Sequence, residues 1–245
     1  MRPSFQRGFT LMEVLIAVSL LSLISVGILT TLRMGLNALE KTNRKLIANR
    51  RVTGAQRALE EQVANFIPVV ADVAPDLQTP PEKIPFFQGE PQSMRFVSSY
   101  SLQEASRGYP RILEFQVIPG DEGKGVRLVV NEHLYTGPRS AGAFCLGRRT
   151  DPSIGLPVLR FRPIEIGPGS FVLADRLAFC RFQYLTPPVP PDPETWVSQW
   201  VRPGWPAAVR IEMAPIDEDA SQLRPTAMTA PIRVDRNPVY QYADN

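Results

Sequence analysis

The stretch Arg7-Gly8-Phe9-Thr10-Leu11-Met12-Glu13-Val14-Leu15 opens an apolar run around which the rest of the chain must be arranged. Across residues 9–32 the only charged side chain is Glu13. A helix rises about 1.5 Å per residue, so this run would extend about 36 Å, against a hydrocarbon core of about 30 Å. A carboxylate inside such a span costs roughly 2.5–3.5 kcal/mol on insertion scales, so Glu13 calls for a partner. Ahead of the run, residues 1–8 carry Arg2 and Arg7 as their charges. A secretory signal has an apolar region of about 7–15 residues followed by a small-residue cleavage site. Here the run is longer, and Leu32-Arg33-Met34 comes after it. Gly8 stands at the junction, where the lack of a Cβ lets an enzyme grip extended backbone at the membrane surface.

The segment Gly8-Phe9-Thr10-Leu11-Met12-Glu13 resembles the class III signal of type IV pilins and type II secretion pseudopilins. In that family a membrane prepilin peptidase cuts after the glycine and methylates the new N-terminal residue. The resemblance implies cleavage between Gly8 and Phe9, an N-methylphenylalanine at Phe9, and Glu13 as the residue that docks a neighbouring subunit. The α-ammonium freed at Phe9 and a neighbour's Glu13 would neutralise each other in a low-dielectric bundle. Truncating one partner of a buried pair costs about 3–5 kcal/mol, so such a pair sets the register between stacked helices. The competing reading is a signal anchor whose glutamate merely lies near the membrane surface. Arg33, Lys41, Arg44, Lys45, Arg50 and Arg51 lie beyond the span, so the positive-inside bias opposes an outward C-terminus. The basic leader favours a cytoplasmic start, and the family orientation is kept: inner membrane, single pass, C-terminal domain periplasmic.

Composition bounds the region beyond the span. The formal net charge of +3 falls to +1 once Arg2 and Arg7 leave with the leader, so the basicity does not argue for nucleic acid, and none is expected as a partner. Prolines number 25 in 245 residues, about twice the usual share of roughly 5%. Apart from Pro3, all lie at or beyond Pro68. Residues 4–67 therefore read as one long helix that continues past the membrane. Leu36, Leu39, Leu46, Ile47, Leu59, Val63 and Phe66 fall mostly at three-, four- or seven-residue steps and form one apolar face for a domain to fold around. Gly27, Gly35 and Gly54 are candidate flex points, and Pro68 and Pro75 stop the helix.

Proline frequency makes residues 76–92 read as loop. Strand patterns occur at residues 94–98, 112–118, 126–134, 158–162, 171–173, 177–185 and 208–213. The second and third are joined by the turn Pro119-Gly120-Asp121-Glu122-Gly123-Lys124-Gly125. Alternation of Phe179, Arg181 and Gln183 with Cys180, Phe182 and Tyr184 predicts a strand with one buried face. A helix followed by a long antiparallel region is an α+β layout, and the resemblance implies its type IV pilin-like form. The expected segments are a leader at 1–8, a transmembrane helix at 9–32, its amphipathic continuation at 33–67, and a β-rich domain at 68–245.

Every tryptophan falls within ten residues: Trp196, Trp200 and Trp205. They come after a loop holding Pro187, Pro188, Pro190, Pro191 and Pro193 and precede Pro206-Ala207-Ala208-Val209-Arg210-Ile211-Glu212-Met213. This block resembles the C-terminal part of the J-type minor pseudopilins of type II secretion, where a tryptophan-bearing loop leads into a Pro-x-Ala-Val-Arg strand. The tryptophans read either as core packing or as an exposed partner-binding patch, since Trp is a favoured interface anchor.

Catalytic readings find little support. His133, the one histidine, lies in a strand pattern, and no Gly-x-Ser-x-Gly elbow accompanies it. The Gly120–Gly125 segment lacks Walker A spacing and reads as a turn. Zinc ligands are too few for a Cys/His site. Cys145 and Cys180 are the only cysteines. Outside the inner membrane they could form one bridge worth roughly 3–4 kcal/mol in the chain-entropy model, or Cys180 could simply fill a buried strand position. Asp217-Glu218-Asp219, with Asp235 and Asp244, could surround calcium, but the alternating acidic loop such sites use is absent and a solvated loop is the simpler reading.

The reading is a non-enzymatic minor pseudopilin without cofactor, metal or small-molecule substrate. By resemblance its partners are prepilin peptidase, the major pseudopilin, and the I- and K-type subunits of a pseudopilus tip that starts assembly for protein export. The alternatives are a minor pilin of a type IV pilus or DNA-uptake machine, and a membrane-anchored periplasmic enzyme or binding module.

Overall fold

In a computed structural model of the chain, the long proline-free interval forms one helix, α1 (Leu11–Ala64). The described residues are 9–74, 80–150, 155, 157–188, 193–216, 226–233 and 238, excepting the side chains of 44–49, 51, 122, 157 and 226. Gly8, the side chains of Leu46 and Ile47, and the acids Asp217, Glu218, Asp219, Asp235 and Asp244 lie outside the described residues. The chain divides into two compact units, residues 1–49 and residues 50–245.

In the first unit the large apolar side chains of α1 are exposed on every side, from Leu11 through Leu39. In the second, the last turns of α1 bury Val52, Ala55, Leu59 and Val63, spaced three and four apart along one stripe. The packed face is therefore shorter than the sequence pattern implied, because Leu36 and Leu39 are uncovered. The helix also ends three residues before the expected Ile67. Asn65 turns the chain by bonding the Glu61 carbonyl through both its backbone N–H, at 3.1 Å, and its side-chain amide, at 2.7 Å.

Beyond it come β1 (Phe66–Ile67), β2 (Val70–Val73), β3 (Glu82–Pro85), β4 (Gln88–Gly89), β5 (Ser93–Ser101), β6 (Ser106–Pro119) and β7 (Val126–Leu134). A short helix, α2 (Pro138–Gly142), leads to β8 (Cys145–Thr150) and β9 (Pro157–Phe161). The chain closes with β10 (Phe171–Leu185), β11 (Trp196–Val197), β12 (Ala208–Pro215) and β13 (Thr226–Pro231). Among the described residues, a nine-stranded sheet runs β1-β5-β6-β7-β10-β12-β13, with β4 beside β5 and β11 beside β10. The hairpins β2–β3 and β8–β9 are separate two-stranded sheets. Pairing is antiparallel throughout. The architecture is α+β and type IV pilin-like: one long helix with an apolar N-terminal run, packed on an antiparallel sheet.

The sheet separates two cores. On one face Met94, Phe96, Leu113, Phe115, Leu128 and Val130 pack with the α1 stripe and with Cys180, Phe182 and Tyr184 of β10. On the other, Val97 and Ile112 meet Val69, Ala71, Ile84, Phe86, Ala141 and Cys145, so β2–β3, α2 and β8–β9 cover that side.

Several elements depart from the sequence reading. The proline-rich interval 76–92 contains β3 and β4, with Pro85 at the end of its strand. Residues 171–173 and 177–185 form one strand rather than two. β10 is kinked where Arg176 takes φ 53°, as it passes from β7 to β12 as neighbour. Of the two readings open for the cysteines, the Cys145–Cys180 bridge is not formed: both thiols are free, and each is buried in a different core. Bridging needs Cα atoms within about 7 Å, and a sheet lies between them.

Candidate functional site

Thr10 starts α1. Its carbonyl accepts the Glu13 N–H at 3.0 Å, and its Oγ1 lies 3.3 Å from that same N–H. This is the threonine half of a capping box, Thr-x-x-Glu, with Glu13 in the first helical turn, where the positive end of the helix dipole favours a carboxylate. The Thr-Leu-Met-Glu spacing that announces the cap is plain in the sequence, although the prepilin-like motif drew attention to Glu13 first.

Along the apolar run each hydroxyl is bonded back to its own helix. Ser22 and Ser25 donate to the carbonyls of Val18 and Leu21 at 2.8 Å, and Ser19 to that of Leu15. Thr30 and Thr31 donate to Gly27 at 2.9 and 2.8 Å. Such bonds satisfy polar groups that hydrocarbon could not. The Glu13 carboxylate differs: no described residue bonds it. Phe9, just ahead of the helix, is 85% exposed. The span Leu11–Asn43 is apolar enough to cross a membrane and none of it is buried.

The tryptophan block behaves differently from a surface patch. Trp200 and Trp205 are buried in the α1-side core, so for these two the core-packing reading holds and the alternative of a three-tryptophan partner surface does not. Trp200 is locked by its Nε1–H to the Gly204 carbonyl at 3.1 Å and by a bridge to Gly89. A Cβ at Gly89 would stand 2.8 Å from Trp200 Cβ and from the Tyr184 ring, so glycine is what lets these strands close together. Trp196 alone stays half-buried, with the Arg210 guanidinium 4.0 Å above its ring.

On the opposite face lies a polar cluster that the sequence reading missed. Arg95 on β5 and Glu114 on β6 are cross-strand neighbours, both buried, with Nε 2.7 Å from Oε1. Arg95 also donates to Gln88 at 2.6 Å and to the Arg162 carbonyl at 3.0 Å, between the Phe144 and Phe161 rings. Asn131 donates to Glu114 and to the Glu165 carbonyl, and accepts from Ser170 at 2.6 Å. Burial alone would push the Glu114 carboxyl up. The Arg95 charge and the bonds from Asn131, Arg95 and His133 outweigh it and hold the group below its ordinary value. Burial lowers the Arg95 guanidinium despite its partner.

His133 stands 3.1 Å from Glu114 at the rim of this cluster, with 44% of its side chain exposed. The nearest serine in the network, Ser170, gives its proton to Asn131 rather than to His133, so the chain Ser170-Asn131-Glu114-His133 is not a nucleophile arrangement. Its effect is to pin the 162–170 segment onto the sheet. The only sequence signal was one charge of each sign set mid-strand among apolar residues on both strands of a hairpin. Among the described residues no group of three or more His, Cys, Asp or Glu is placed to hold a metal.

Residues 3–29 match the family described as the prokaryotic N-terminal methylation motif. A comparison with curated proteins finds no match. The chain thus joins that motif to a type IV pilin-like fold, with a single apolar N-terminal helix long enough to span a membrane and a separate folded domain beyond it.

Proposed function

We propose that this chain is a minor pseudopilin of a type II secretion system, a J-type subunit of the pseudopilus tip that initiates assembly for protein export. The observation that carries the assembly role is the Glu13 carboxylate, the one side-chain polar group of the apolar run without an internal partner. Removal of residues 1–8 after Gly8 would free an ammonium at Phe9, and a neighbouring subunit would supply that group to Glu13. The match over residues 3–29 supports processing and N-methylation. The J-type assignment is supported by the tryptophan loop feeding Pro206-Ala207-Ala208-Val209-Arg210, whose last three residues open β12 beside β10. In this reading the domain beyond the span is periplasmic, and the partners are prepilin peptidase, the major pseudopilin, and I- and K-type subunits.

The test co-expresses the full chain with prepilin peptidase and with the I- and K-type subunits of the same cell. Mass analysis should find a chain beginning at methylated Phe9, and the three subunits should co-purify. Glu13→Ala should be processed normally yet fail to co-purify. An unprocessed chain counts against the whole class. Processing with co-purification of type IV minor pilins instead moves the chain to a pilus machine.

A further inference from the structure

The β8–β9 hairpin and the residue after it carry three arginines that no described residue pairs. Residues 145–162 hold Arg148, Arg149, Arg160 and Arg162 against the single acid Asp151, a net of +3 that equals the formal net of the entire chain. A second basic stretch lies at residues 33–51, but residues 52–245 carry a net of −3, so the hairpin is a local positive patch in an acidic region. Strand alternation sorts these arginines. Leu159 and Phe161 face inward, toward Phe86 and the smaller core. Arg160 and Arg162 therefore face outward, and Arg162 extends the ladder by donating its N–H to the Phe144 carbonyl at 2.9 Å. The bulge between Cys145 and Gly147 places Gly147 opposite Arg160, and Arg149 opposite Val158, on that same outer face. Arg148 lies on the other face and is paired with Glu82 at 2.9 Å.

Arg149, Arg160 and Arg162 are exposed, and none of their guanidinium groups has a partner among the described residues. Gly147, at φ +97°, leaves open space where a side chain would stand between them. Diagonal cross-strand neighbours lie about 7–8 Å apart, and alternate residues of one strand about 7 Å. That is also the spacing of alternate side chains on an extended peptide. The backbone beneath is fixed, because Arg95 holds the Arg162 carbonyl and stacks against Phe161.

We infer that this outer face docks an extended acidic segment of a partner protein, with carboxylates at alternate residues meeting Arg149, Arg160 and Arg162. Guanidinium forks suit bidentate carboxylate pairing, and a rigid array of fixed spacing rewards a ligand of matching spacing. Lipid headgroups move laterally, and surfaces that read them use clusters of about four to eight basic residues.

The test measures anisotropy of a labelled peptide alternating Glu and Ser, titrated with the full chain in zwitterionic detergent. A peptide of the same composition with its glutamates in one block serves as comparison. The alternating peptide should bind in a salt-sensitive manner and more tightly than the blocked one. Arg149→Glu with Arg160→Glu should weaken it by at least about tenfold, the equivalent of one lost charge-assisted pair. Arg160→Gln, milder and at an exposed position, should weaken it in the same direction with an unchanged circular dichroism spectrum. Unaltered binding by both variants overturns the proposal. So does arginine-dependent binding to phosphatidylglycerol vesicles without peptide binding, which would assign the face to lipid.

Discussion

Arg95 has no exposed surface, yet it is surrounded by acceptors from β4, β6 and the segment after β9. Removing one member of such a pair leaves the other buried and uncompensated. Glu114→Gln should therefore destabilise the domain by about 3–5 kcal/mol at neutral pH, measured by chemical denaturation. The depressed Glu114 carboxyl also fixes a pH dependence. Its contribution is fully present above the ordinary value of 4.5 and is lost as pH falls through and below it. The Glu114→Gln variant should lose that part of the acid sensitivity; equal acid sensitivity in both proteins would show that Glu114 is not its source. Replacing both residues, as Arg95→Met with Glu114→Leu, should cost less than Glu114→Gln alone, since no charge is stranded. At this scale the sequence singles out Glu13, because expense in lipid marks a residue without any tertiary knowledge. It was silent at Arg95, because only the cover supplied by β8–β9 turns an outward strand position into a buried one.

At the scale of elements, α1 is two helices in its energetics. The stripe Val52, Ala55, Leu59 and Val63 is core, whereas Leu36 and Leu39 stay exposed. Leu59→Ala should cost the domain about 2–5 kcal/mol, while Leu36→Ala should change its stability by less than about 0.5 kcal/mol. Comparable losses from both would contradict the division. The helix, the β7 strand and the β6–β7 turn could be read in advance because period and punctuation agreed. α2, β8, β11 and β13 could not: β11 has two residues, and α2 is one short helix started by Pro138. Prolines misled between residues 76 and 92, since β2–β3 is a two-stranded sheet in which Pro85 can sit at a strand end without breaking a wider ladder.

For the molecule as a whole, stability rests on two cores divided by one sheet, with no covalent link between them. Burial pushes both thiols up to about 12, so neither is reactive in the folded state. Reductant should leave the melting temperature unchanged, and alkylating reagents should label Cys145 and Cys180 only as the domain unfolds. A melting temperature lowered by reductant would mean that the two cores are bridged after all. The division of labour between the units has a further consequence. Because Ser19, Ser22, Ser25, Thr30 and Thr31 answer their hydrogen bonds from within α1, this helix need exchange no hydroxyl partner on passing from lipid into an apolar protein interior. It is indifferent to which of the two solvents surrounds it, and in the function proposed above the choice between them falls to the carboxylate at Glu13.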